Sequence, residues 1–232
     1  MTELELRTLF VDTARSYYGA EKGSDKHLEI LSIYNGQEKL PRGYRMTVND
    51  PWCATFVSAM AVKCALTDII PTECSCSRMI QLHKALGTWV EKDSYTPEPG
   101  DLIIYDWDDN GQGDCTGDPD HIGIVVRVTD GVIRVIEGNL HSSVWHRDIK
   151  VDGKSIRGYC CPNFAALARK EDDDMSKFKD VSEGKYYTEA VDKAAELGLM
   201  VGLSEDEFGV GQSVTREQLA AVAVKMYELL SK

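Results

Sequence analysis

Apolar periodicity changes from helical to strand-like near Gly87, and the change restricts the class of fold. Before it, apolar side chains recur at helical spacing. Over residues 2–18, Leu6, Leu9, Phe10, Ala14 and Tyr17 fall near a 3.6-residue period, and Thr2 with Glu5 makes a capping-box pattern. Further helices are expected at 25–34 behind Ser24, from Cys53 onward, and at 78–86 before Gly87. After it come short β-branched segments, "DLIIYDW", "HIGIVVRV", "GVIRVIEG", "SSVWHRDI" and "IRGYCC", separated by Gly, Asp and Asn. Asp130-Gly131 between two of them signals a hairpin, because both residue types tolerate the positive φ of a tight turn. Helices followed by a run of antiparallel strands define an α+β fold.

The stretch "ARKEDDDMSK" is charged and lacks apolar periodicity, so it reads as a linker. The expected division is a larger domain over 1–165, a charged linker over 166–176 and a small helical module over 177–232. The module should hold two helices, one ending at Gly198 and one capped by Thr215 with Gln218 in the capping-box position. Two helices in about 55 residues make a marginal core. The module is therefore expected to lean on the larger domain or on copies of itself, which makes a homo-oligomer one candidate assembly.

Charge and composition remove several function classes. With 26 basic and 38 acidic residues the net charge is −12, which argues against nucleic acid and anionic membrane surfaces as partners. No apolar run approaches the length of a membrane span. The segment "MTELELRTLF" lacks the basic start and apolar core of a secretion signal, so synthesis in the cytoplasm without a signal peptide is expected. Among seven cysteines, Cys74 and Cys76 are spaced too closely for a zinc knuckle, and Cys160-Cys161 reads as buried packing at a strand end.

The stretch "NDPWCATFVSA" carries the first chemical signal. Pro51 can start a helix but not continue one, so Cys53 falls at a helix N-terminus. There the free N–H groups and the macrodipole favour a thiolate. A lone cysteine is more often a small buried residue, so a base and an orienter for that base are needed. His121, in "DPDHIGIVV", starts a strand beside an acidic loop, where it can reach a cleft. His27 and His83 are expected to be solvent-exposed on polar helix faces, and His141 and His146 flank a hairpin. Glu137 lies in the apolar segment "RVIEG", where an unpaired carboxylate is costly. The His121 imidazolium is its candidate partner across an antiparallel strand pair. Asn139 shares that face if the strand continues. A thiolate, a histidine and a polar orienter make the arrangement of papain-like nucleophilic catalysis. No cofactor is required for it.

One loop matches a metal pattern. In "DWDDNGQGDCTGD", Asp106, Asp108, Asn110, Gly111 and Asp114 fall at positions 1, 3, 5, 6 and 9 of a calcium loop. Gly117 stands where the closing bidentate Glu belongs, so an acidic solvated turn is the competing reading.

The segments "WCATFVS", "PEPGDLIIYDW", "DHIGIVVRV" and "VIEGN", in this order, resemble a CHAP domain, a cysteine- and histidine-dependent amidohydrolase/peptidase related to the NlpC-type papain-like hydrolases. The resemblance covers roughly residues 1–162 and is strongest from 50 to 160. It implies a papain-like α+β fold and cleavage of amide bonds in bacterial peptidoglycan. It also implies Cys53 as nucleophile, His121 as base, Glu137 as orienter and Asn139 as an assisting residue. The tail, "FKDVSEGKYYTEAVDKAAELGLMVG" followed by "TREQLAAV", resembles a single S-layer homology (SLH) module, which implies binding of a secondary cell-wall polymer through 177–232. Such modules usually come in threes, and here there is one. The expectation is an endolysin-like peptidoglycan hydrolase, amidase or endopeptidase, acting at the cell wall after release. The alternatives are a papain-like peptidase or effector acting on protein, and a wall-binding protein with a vestigial triad.

Overall fold

The structure is a computed structural model that describes residues 1–109, 117–168, 176–182 and 185–230. The chain divides into two compact units, Met1–Ala168 and Arg169–Lys232.

The first unit opens with four α-helices: α1 (Glu3–Arg15), α2 (Asp25–Asn35), α3 (Cys53–Lys63) and α4 (Cys76–Ala85). The capping box expected for α1 is present, with the Thr2 hydroxyl accepting from the Glu5 amide and the Glu5 carboxylate accepting from the Thr2 amide. Helix α1 ends three residues short of the expected limit. The α4 start lies two residues earlier than expected, because the Ser75 hydroxyl caps it by accepting the Arg78 amide. Helix α3 is the centre of the unit, and every residue from Cys53 to Ala61 is buried. It packs against α1 and α2 on one side and against the sheet on the other.

The sheet has six strands: β1 (Trp89–Val90), β2 (Leu102–Tyr105), β3 (His121–Thr129), β4 (Val132–Leu140), β5 (Ser143–Lys150) and β6 (Ile156–Cys160). They are antiparallel in the order β1-β6-β2-β3-β4-β5. Strand β1, not anticipated from sequence, is two residues long and pairs with β6. The hairpin β3–β4 closes at Asp130-Gly131 with φ of 50° and 73°, as a primed turn requires. Alternate side chains divide between two faces. Ile104, Ile122, Ile124 and Ile136 join the helices in the main core, while Ile103, Tyr105, Val125, Val135 and Tyr159 form a second cluster on the other face. Gly138 sets how closely α3 approaches the sheet: a Cβ there would meet Phe56 Cβ at 2.4 Å.

His27 and His83 are fully buried, which corrects the expectation of exposed polar faces. Each sits on an apolar stripe at helical spacing, His27 with Ile30, Leu31 and Tyr34, and His83 with Cys76, Met79 and Ile80. His27 packs on Trp52 at 4.4 Å and accepts the Gly23 amide at Nδ1. Burial pushes the His83 imidazole down to about 4, so it is a neutral core residue bonded to Thr88 Oγ1 at 2.7 Å.

The second unit holds α5 (Thr188–Glu196) and α6 (Arg216–Leu230). Phe178, Val181 and Val191 form its small core, against which Tyr187, Ala195 and Phe208 pack. The Asp180 carboxylate organises a loop by accepting the amides of Phe208, Gly209 and Val210. Helix α6 starts with the expected reciprocal bonds between Thr215 and Gln218. It has no buried residue, and Leu219, Val224, Tyr227 and Leu230 are exposed. Among the described residues no helix is long and apolar enough to cross a membrane.

Candidate active site

Helix α3 begins without a side-chain cap, since Trp52 at the N-cap supplies no acceptor. Its first-turn N–H groups are thus left free for the site. The Ala54 amide at this helix start is among the groups that favour the Cys53 thiolate. His121 is the first residue of β3 and pairs in register with Tyr105 of β2. Glu137 on β4 is fully buried and reaches His121 across Gly123, where a Cβ would lie 2.7 Å from Glu137 Cγ. A side chain at 123 would fill the space that the carboxylate occupies.

The His121 Nε2–H donates to Glu137 Oε2 at 3.0 Å, and Arg147 Nε donates to Glu137 Oε1 at 2.8 Å. Both carboxylate oxygens therefore have a cationic or imidazole partner. With Nε2 engaged, Nδ1 of His121 is the nitrogen left for the Cys53 thiol, whose proximity favours the imidazolium. The Arg147 guanidinium lies over Tyr105 at 5.3 Å and Trp107 at 4.9 Å. Trp107 stacks on Tyr105 at 4.8 Å, lies 6.0 Å from the His121 ring, and is 44% exposed. It is an aromatic surface at the rim of the site.

The electrostatics follow from these contacts. A hydrogen bond from Cys76 is the largest influence on Cys53; with His121 and the Ala54 amide it outweighs burial and holds the thiol well below its ordinary range. At His121 burial disfavours the imidazolium, but the hydrogen bonds and charges of Cys53 and Glu137 win and raise it to about 9. Burial works to raise the Glu137 carboxyl, and bonds from His121 and Arg147 reverse that and hold it below the ordinary carboxylate value. All three shifts favour the charged forms, thiolate with imidazolium, anchored by the Glu137 carboxylate and the Arg147 guanidinium.

Cys53, His121 and Glu137 come together from a helix and two strands. Asn139 does not join them by a hydrogen bond. The β4–β5 register shifts between Glu137 and Leu140, and Asn139 takes a left-handed φ of 59°, so the strand does not continue with the regular alternation on which a shared face depends. His146 stacks on Tyr18 and bonds to the Val135 carbonyl, and His141 sits exposed in the β4–β5 turn. In the acidic loop, Asp106 is buried and its Oδ1 accepts the Asp108 amide at 3.0 Å. Asn110 and Asp114 lie outside the described residues, among which no group of three or more side chains could hold a metal ion.

Sequence reading missed two neighbours. Arg147 is on β5, two positions from Trp145, the register partner of Glu137, and so shares its face; that spacing is visible once the hairpin is placed. Cys76 starts α4, and its sulfur lies 3.8 Å from Cys53 Sγ. No local pattern links it to Cys53.

An α+β unit with a thiol opening a buried helix and an imidazole opening a facing strand has the layout of papain-like domains. Comparison with protein families gives the same class: the CHAP domain model matches residues 44–139, and the S-layer homology domain model matches residues 177–220. The chain carries a CHAP domain followed by a C-terminal SLH domain. A CHAP domain implies a peptidoglycan hydrolase, amidase or peptidase, and an SLH domain implies cell-wall binding. No curated protein and no solved structure matches the chain. The CHAP match includes Cys53, His121 and Glu137 and ends at Asn139, so Arg147 lies beyond it.

Proposed function

We propose that the protein is a cysteine-dependent peptidoglycan hydrolase, an endolysin-like amidase or endopeptidase that acts at the cell wall after release. The carrying observation is the His121–Glu137 pair at 3.0 Å, with Glu137 fully buried and the Cys53 thiol electrostatically coupled to the same imidazole. The Cys53 thiolate attacks an amide carbonyl of the stem peptide or of its junction with the sugar. Free N–H groups at the start of α3 hold the oxyanion. The His121 imidazolium then gives its Nδ1 proton to the leaving amine. Once neutral, it takes a proton from the water that hydrolyses the thioester. Glu137 fixes the ring and its tautomer through Nε2, and Arg147 holds Glu137 in place. The SLH module brings the catalytic unit to a secondary cell-wall polymer.

Clearing of purified cell-wall suspensions tests this reading. Wild-type protein is expected to clear them and Cys53→Ser to leave them turbid. Equal clearing by Cys53→Ser overturns the mechanism, and a wild-type protein inert on walls from several sources moves the substrate class to protein. Mass spectrometry of the digest names the bond: a new free L-alanine N-terminus identifies an amidase. Calcium binding by Asp106, Asp108, Asn110 and Asp114 belongs to the same proposal, since these are hard oxygen ligands at calcium-loop spacing. Calorimetric titration with Asp108→Ala as control tests it, and no heat above background removes it.

A further inference from the structure

Two cysteines meet at the site, and the hydrolytic mechanism uses one of them. Cys53 and Cys76 each occupy the first position of a helix, and their sulfurs are 3.8 Å apart. A disulfide has its sulfurs at about 2.05 Å, so closure asks for less than ~2 Å of sulfur movement. Both residues keep a little exposure, 7% for Cys53 and 8% for Cys76, which admits a small oxidant. The third thiol nearby, Cys160, is fully buried in the core. Resting on the assignment of Cys53 as nucleophile, we infer that Cys76 is the resolving thiol of a reversible redox switch, and that a peroxide closes the hydrolytic site as a Cys53–Cys76 disulfide.

The chemistry balances with hydrogen peroxide as the oxidant. The Cys53 thiolate attacks one peroxide oxygen; an S–O bond forms, the O–O bond breaks, and hydroxide leaves and is protonated to water. Sulfur is oxidised by two electrons to the sulfenic acid and peroxide is reduced. The Cys76 sulfur then attacks the Cys53 sulfur. An S–S bond forms, the S–O bond breaks, and the departing hydroxide takes the Cys76 proton as a second water. The order suits the electrostatics. The Cys53 thiolate is the leading cause that holds the Cys76 thiol protonated, and oxidation of Cys53 removes that negative sulfur when Cys76 must act. A dithiol reductant reverses the bond. Without a resolving thiol, the sulfenic acid proceeds to sulfinic and sulfonic acids, which do not return.

The test uses the full-length chain. Wild-type protein and Cys76→Ala are treated with hydrogen peroxide, alkylated and digested, and their peptides are weighed with and without dithiothreitol, alongside wall clearing. Wild type is expected to give one linked peptide joining Cys53 to Cys76 and to lose clearing, with both effects undone by dithiothreitol. Cys76→Ala is expected to give no such peptide and to end with sulfinic or sulfonic Cys53 that dithiothreitol does not restore. Cys160→Ser, as a second variant, should link as wild type does. Sulfinic or sulfonic Cys53 in wild type with no link to Cys76 overturns the inference, and that readout needs no folded Cys76→Ala. The link is read by mass and stands apart from hydrolysis: equal wall clearing by Cys53→Ser overturns the nucleophile assignment instead.

Discussion

Replacing Glu137 with glutamine removes the charge behind His121 while keeping the side chain's shape. In the wild type His121 is raised from its ordinary 6.5 to about 9, against the opposing effect of burial. That net rise corresponds to ~3.4 kcal/mol favouring the imidazolium, at about 1.36 kcal/mol per unit. Two groups supply it, the Cys53 thiolate and the Glu137 carboxylate. A hydrogen bond to a charged group contributes about 1.5–3 kcal/mol, so loss of the carboxylate should lower His121 by roughly 1–2 units. The sign is fixed, because a cation that loses its anionic partner gives up its proton at lower pH. The alkaline limb of the pH–rate profile for wall clearing should thus move from about 9 to roughly 7–8. kcat/KM should fall by about 10- to 100-fold, since the same interaction orients the ring and stabilises the imidazolium that forms with the thiolate. NMR titration of the His121 imidazole measures the shift directly and needs no substrate. An imidazole that titrates within about half a unit of its wild-type value in Glu137→Gln would refute the reasoning.

Three other outcomes follow from the structure. Gly138→Ala places a methyl 2.4 Å from Phe56 Cβ, and this overpacking should destabilise the first unit by ~1–3 kcal/mol, read as a lower urea midpoint. Cys76→Ala removes the largest influence holding the Cys53 thiol down; the midpoint of iodoacetamide reactivity against pH should rise, and an unmoved midpoint would count against that bond. The uncovered apolar face of α6 should drive self-association of the full chain, with a closed trimer the expected assembly and residues 1–165 monomeric; light scattering that finds a full-length monomer at tens of micromolar removes this.

Local signals were the most legible. The Thr2–Glu5 and Thr215–Gln218 boxes, the Ser24 cap and the Asp130-Gly131 hairpin each depend on residues within one turn of one another, and each is present. Glu137 was legible for an energetic reason, because a carboxylate inside an apolar strand must have a partner. His27 and His83 were misread although the signal existed: the stripe of apolar residues at i+3, i+4 and i+7 from His27 includes the histidine itself. Asn139 shows the limit of alternation, since one bulge cancels a period-two argument. The approach of Cys76 to Cys53 was not legible at all. It depends on how α4 docks beside the sheet and α3, and no short-range pattern encodes that placement.

The reacting groups also differ in how far the chain must travel to join them. His121 and Glu137 belong to the single hairpin β3–β4, so a short loop closure brings them together. Cys53 reaches them only when α3 docks on that hairpin, and the intervening chain includes α4, β1 and β2. The proton relay is thus a low-contact-order element, and its union with the nucleophile is a high-contact-order event. A collapsed chain with every helix and strand formed but α3 undocked would carry an ordinary cysteine. Pairing of the Cys53 thiol with the His121 imidazole therefore reports that α3 has docked on the hairpin.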